Sequence, residues 1–158
     1  MSAELPAEPL ADLVARLDRA SVALIALGIP RCPACQVLPV TLAAVAAARP
    51  GLAVGHAVLA SAEDWALRDE LLWPRGIRVS RSSVPALALL RDGRAVARRA
   101  GGGPASSIDA WLAGELGPAE RPLPEGPTAA ERVAIASTAP RRAQRVAARG
   151  RAEWDRVG

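Results

Sequence analysis

The sequence predicts an α/β fold: a central mixed four-stranded sheet flanked by helices, followed by a basic C-terminal extension that is helical or disordered. Three observations carry this expectation. Two short apolar runs, "SVALIALG" and "GLAVGHAVLA", enclose a helix-forming stretch, which is the order of a strand–helix–strand unit. Further on, two more apolar runs flank Asp92-Gly93, a dipeptide that tolerates the positive φ angles of a tight hairpin turn. Amphipathic stretches precede the first strand and follow the hairpin.

The first helix is expected over Pro9–Ala20, with Pro9 in its opening turn and Leu10, Leu13, Val14 and Leu17 on one face. Ser21–Leu27 is almost wholly apolar, as a strand buried on both faces requires, and Gly28 and Pro30 end it. A second helix starts at Cys32 and runs to Arg49, where "RPG" stops it, with Pro39 expected to kink its first half. The second strand lies within "GLAVGHAVLA". Ser61, with Asp64 three residues on, imitates a capping box for a helix over Trp65–Trp73. A loop through "PRGIRVSRSS" leads into the hairpin, and a last helix within "GGGPASSIDAWLAGEL" closes at Gly117. The strand–helix–strand unit should form a right-handed parallel crossover, with the hairpin extending the same sheet.

Composition narrows the function. About half of the 158 residues are apolar, so a buried core needs no disulfide framework, although the chain has neither Phe nor Tyr to fill it. The net charge is +4 and every basic residue is Arg. Arg usage of that kind reflects a GC-rich coding bias as readily as a phosphate-binding face, and nucleic acid is not an expected partner. No basic start followed by an apolar stretch marks a targeting segment, and no run reaches the length of a membrane span. A cytoplasmic protein without membrane contact is expected.

The two cysteines, Cys32 and Cys35, stand two residues apart in "IPRCPACQVLP". A structural zinc needs four ligands, and the chain adds to this pair only one histidine, His56. A structural disulfide closing so short a loop gains little entropy. A reactive dithiol fits the context better. Cys32 stands where a strand gives way to a helix, so unpaired N–H groups and the helix dipole favour its thiolate, as does Arg31 beside it. Cys35, about one turn later, can attack a mixed disulfide formed at Cys32. This chemistry requires no metal and no bound cofactor.

A C-x-x-C opening the helix after the first strand, then Val84-Pro85 ahead of "ALALLRDGRAVARRAGG", resembles the thioredoxin-like family over roughly residues 8–117. The resemblance implies a cis Val84–Pro85 bond facing the cysteines, with the Val84 backbone docking an extended substrate strand and Pro85 shaping the site. It also implies a thiol–disulfide oxidoreductase whose partners are protein disulfides and a reductase or small-thiol electron donor. The chain departs from the family pattern at five places, one of them the helix proline Pro39, which sits one residue closer to the motif than usual. Arg31 stands where thioredoxins carry Trp, Ala26 where they bury an acid, and Ala86 where Thr commonly follows the proline. The family's partner lysine falls near His56, which becomes a candidate proton relay for Cys35.

Two other functions stay open. One is a thioredoxin-like binding or assembly module whose dithiol is secondary. The other is a glutathione-dependent reductase resembling glutaredoxins, in which Gly101 and Gly102 would let the tripeptide approach the backbone. The composition places the redox domain in residues 1–118. "GPAERPLPEGP" then opens an extension over 119–158 as a linker. Arg141, Arg142, Arg145 and Arg149 in that extension suit an acidic protein partner or self-association.

Overall fold

A computed structural model of the chain describes residues 4–138. Its elements are α1 (Leu10–Leu17), β1 (Val22–Gly28), α2 (Pro33–Ala48), β2 (Ala53–Val58), α3 (Ala62–Leu67), β3 (Ala86–Arg91), β4 (Arg94–Ala100) and α4 (Ala105–Leu116). The strands form one mixed sheet in the order β2-β1-β3-β4. β1 runs parallel to β2 and antiparallel to β3, and β3 pairs antiparallel with β4. The expected four-stranded α/β architecture is the one observed.

β1 is central because it can be. Its residues Ala23–Leu27 are all buried, so both sheet faces at this strand are covered. On one face α1 sets Leu10, Leu13, Val14 and Leu17 against Ile25 and Leu27, with Leu72, Ile77 and Val79 completing that core. On the other face Leu38, Leu42 and Val45 of α2 meet Ile108 and Leu112 of α4 over Leu24, Leu87 and Leu89. With no Phe or Tyr available, Leu supplies most of the large side chains in both layers. At the far end of the hairpin, Asp92 and Gly93 take φ values of 49° and 78°, as a type I′ turn demands.

The helix after Ser61 differs from the expected Trp65–Trp73. The capping box forms: the Ser61 hydroxyl accepts the Asp64 N–H (3.1 Å), and the Asp64 carboxylate accepts the Ser61 N–H (3.0 Å). Regular α geometry then lasts only to Leu67. A π turn over Arg68–Leu72 and a 3-10 turn over Trp73–Arg75 follow, closed by Gly76 at φ 78°. Pro74 has no N–H to donate to the carbonyl four residues back, so the regular ladder cannot continue past it. Hydrogen bonds of the Asp64 carboxylate to the Ser61 and Ala60 N–H groups hold its pKa below the ordinary carboxylate value. The capping contribution is therefore complete above the pKa of an unfolded Asp and is lost as pH falls through the lower folded value. An Asp64→Asn variant should show a flatter stability-versus-pH curve on the acid side, measured by urea unfolding.

Residues 5–8 and the stretch after Gly117 both fasten to the body of the fold. Leu5 N–H donates to Pro39 C=O (2.8 Å) and Glu8 N–H to His56 C=O (3.0 Å), which straps residues 5–8 along the outer side of β2. Beyond Gly117 the Pro- and Gly-rich stretch reads as a linker, yet it stays on the surface of the fold. Arg121 N–H donates to Ala48 C=O (3.1 Å), and Leu123 packs against the α2–α4 core. A helix begins at residue 129 and carries Glu131 inside, 0% exposed. Its carboxylate accepts hydrogen bonds from the Ala105 N–H (3.0 Å) and the Thr41 hydroxyl (3.3 Å). α4 starts at Pro104 without a side-chain cap of its own, so Glu131 supplies an acceptor for its first turn. The basic run Arg141, Arg142, Arg145 and Arg149 lies outside the described residues.

Candidate active site

The cysteine pair sits where β1 leaves the sheet. Pro30 and Arg31 form a turn, and Arg31 takes a left-handed φ of 63°, a conformation that costs a non-glycine residue about 1 kcal/mol. Cys32 follows in extended conformation as the N-cap of α2, with Pro33 in the first turn. Pro33 suits that position because its missing N–H would have no helical partner. Cys32 and Cys35 are joined as a disulfide, their Cα atoms 5.1 Å apart. The Cys35 N–H points at Cys32 Sγ (3.2 Å), the contact by which a helix start stabilises a thiolate. Cys32 is partly exposed and Cys35 is buried, so only the first sulfur is open to a large substrate.

Gly28, first read as a strand terminator, has a second role. A Cβ placed on it would lie 2.9 Å from Cys35 Cβ and 3.1 Å from Cys35 Sγ. Its φ is unremarkable; what it supplies is space for the buried cysteine. The sequence signal was there, a glycine ending the strand four residues before Cys32, but a side-chain contact across the turn is not a local pattern.

The wall opposite the cysteines is built from β3 and the loop after β4. The Val84–Pro85 peptide is cis. Gly101 N–H donates to Pro85 C=O (2.7 Å). A Cβ on Gly102 would lie 3.5 Å from the Pro85 ring and 3.9 Å from the Ala34 carbonyl, so this loop touches both halves of the site. Arg99 fixes the loop by donating to Gly102 C=O (3.0 Å) and to the hydroxyl and carbonyl of Ser107 (2.8 and 3.0 Å). Among the described residues, neither the N–H nor the C=O of Val84 has a backbone partner.

The remaining candidates are placed differently. Arg31 is exposed beside Cys32. His56 is buried, 3% exposed, at the level of Ala26 on the neighbouring strand. Its Nε2–H donates to Leu5 C=O (2.7 Å), which ties the ring to the N-terminal strap. Among the described residues no hydrogen bond joins His56 to either sulfur. Trp73 is 52% exposed, with the Arg78 guanidinium over its ring at 5.1 Å. No group of His, Cys, Asp and Glu able to hold a metal ion occurs among the described residues.

Neither a family model nor a curated protein sequence matches the chain. Solved structures do. Thioredoxin f2 from Chlamydomonas reinhardtii superposes with a TM-score of 0.54 at 16% identity, over 72% of this chain and 98% of that one. The chain has the thioredoxin fold. A mutant thioredoxin from Halobacterium salinarum NRC-1 gives a TM-score of 0.52 at 20% identity, covering 77% of this chain and 96% of the other. The oxidised thioredoxin of Plasmodium falciparum gives 0.53 at 10% identity, covering 72% and 98%. At these identities the likeness is one of fold, and the thioredoxin fold here carries its cysteine pair at the start of the helix that follows β1. None of the described helices is long and apolar enough to cross a membrane.

Proposed function

We propose that the protein is a cytoplasmic thiol–disulfide oxidoreductase acting on protein disulfides through Cys32 and Cys35. The observation that carries this reading is the cysteine disulfide at the lip of α2, with the Cys35 N–H aimed at the partly exposed Cys32 Sγ. In the reduced protein the Cys32 thiolate attacks one sulfur of a substrate disulfide. A mixed disulfide forms, the substrate S–S bond breaks, and one substrate sulfur leaves as a thiolate that takes up a proton. Cys35 then gives up its proton and attacks Cys32 Sγ. The second substrate sulfur departs and is protonated, and two electrons have passed to the substrate. A dithiol or reductase restores the pair.

The neighbours of the cysteine pair have roles in this reading. Val84 offers its unpaired backbone to an extended substrate strand, in the manner of an added β-strand. Pro85 and the Gly101–Gly102 loop hold that strand beside the sulfurs. Arg31 adds positive charge next to Cys32 and favours its thiolate. The bond from His56 to Leu5 favours a structural task for this ring over proton relay. Residues 1–118 form the redox unit in this reading, with 119–158 an extension whose first part is fastened to it by Glu131.

Insulin reduction by dithiothreitol, followed as turbidity, should accelerate in the presence of the protein. A Cys32→Ser variant should return the rate to that of dithiothreitol alone. A Cys35→Ser variant should accumulate a mixed disulfide visible by mass spectrometry. Equal turbidity rates for wild type and Cys32→Ser would sink the redox reading.

A further inference from the structure

The arginines of this chain are spread throughout, so their number says little about a binding face. The acids are more telling. No Asp or Glu stands between Asp18 and Glu63, between Glu70 and Asp92, or between Asp92 and Asp109. Those three gaps contain the three segments around the cysteine pair: the turn and helix start at 29–36, the loop at 76–85 and the glycine loop at 101–104. Arg31, Arg78 and Arg81 lie in these segments and Arg98 stands on β4, and none of the four has a carboxylate within salt-bridge distance among the described residues.

The charge is also shaped. Immediately behind the cis proline, Arg78, Ser83, Arg98 and Arg99 line a recess of about 150 Å³ beside Ala86 and Ala100. Arg99 is committed to Gly102 and Ser107, and Arg98 Nε to the Gly76 carbonyl (2.6 Å). The Arg78 guanidinium rests on the exposed Trp73 ring, and Arg81 lies 4.9 Å over Trp65. Stacking on an indole holds a guanidinium in place while leaving its N–H edges open to an acceptor.

We propose that the substrate is a protein whose disulfide is flanked by acidic side chains, seated with those carboxylates against Arg78 and Arg98 of the recess and Arg81 of the loop that leads to Val84. This rests on the redox reading above and adds the class of partner to it. A carboxylate entering the recess meets planar donors that accept it bidentately. Opposite charges at this distance also raise the encounter rate, and salt removes that gain.

The test compares two synthetic disulfide-bridged peptides, identical except that flanking glutamates in one are glutamines in the other. The full chain reduces each with dithiothreitol as donor, across a salt series. The glutamate peptide should show about tenfold higher kcat/KM at ~20 mM salt, with the two converging by ~0.5 M. The double variant Arg78→Glu, Arg81→Glu should abolish or invert that preference. The ratio of the two rates is the readout, because loss of folding or of thiol chemistry lowers both alike. Equal rates for both peptides at every salt concentration, or an unchanged ratio in the double variant, overturn the docking proposal and leave the redox reading standing. If neither peptide is reduced faster than by dithiothreitol alone, the redox reading fails and this proposal falls with it.

Discussion

A Glu131→Ala variant is expected to lose about 3 kcal/mol of unfolding free energy. Glu131 is 0% exposed, and its carboxylate serves three donors. Two are the Ala105 N–H (3.0 Å) and the Thr41 hydroxyl (3.3 Å), on α4 and α2. The third is the Thr128 N–H (3.4 Å), whose own hydroxyl accepts the Glu131 N–H (3.1 Å). Alanine removes the acceptor and leaves the buried Ala105 N–H and Thr41 hydroxyl without partners. That costs more than the hydrogen bonds themselves contribute, because each donor has already been taken out of water. Glu131→Gln keeps one acceptor oxygen and the shape, so it should fall between wild type and alanine.

Urea unfolding measures the global loss, and amide exchange at Ala105 measures the local one. Exchange at Ala105 should accelerate in Glu131→Ala, since no other side chain caps α4. Unchanged stability with unchanged exchange would show that the carboxylate is not the clamp. The consequence reaches the site, because α4 begins directly after the glycine loop that touches Pro85. Deleting residues 119–158 would therefore disturb the redox unit as well as remove a tail.

The second large effect is expected at Gly28. A Gly28→Ala variant places a methyl group 2.9 Å from Cys35 Cβ, where the neighbour is fixed by its helix and cannot swing aside. Overpacking of this kind costs about 1–3 kcal/mol. The kinetic effect should be more specific than the loss of stability. Cys35 must move away from β1, so its attack on the mixed disulfide slows while the first attack by Cys32 is less affected. Quenched reactions with a disulfide substrate should then hold a larger fraction of mixed disulfide than wild type, by mass spectrometry. A variant with wild-type thermal stability and no trapped intermediate would remove Gly28 from the site.

Much of the fold could be read locally. The Ser61–Asp64 box, the Asp92-Gly93 turn and the Gly117 stop each depend on residues within one turn of one another, and each forms where its residues stand. The apolar runs marked all four strands for the same reason. The broken helix after Leu67 was also legible in principle, since Pro74 removes a donor the ladder needs. The extension was misleading. Its Pro- and Gly-rich start reads as a linker, although Thr128 and Glu131 have the spacing of a capping box.

From the sequence alone came the α/β class, the order of the elements, and a dithiol set at the start of a helix. Those follow from short-range chemistry: turn angles, capping and the alternation of apolar side chains. Only the folded chain decided that Cys35 needs the space left by Gly28, that His56 holds Leu5, and that Glu131 closes the start of α4. The last of these joins residues 26 and 90 positions apart. A carboxylate reads as a solvent-facing residue until packing removes its water and supplies donors in exchange, and that exchange is set by distance in space, not along the chain.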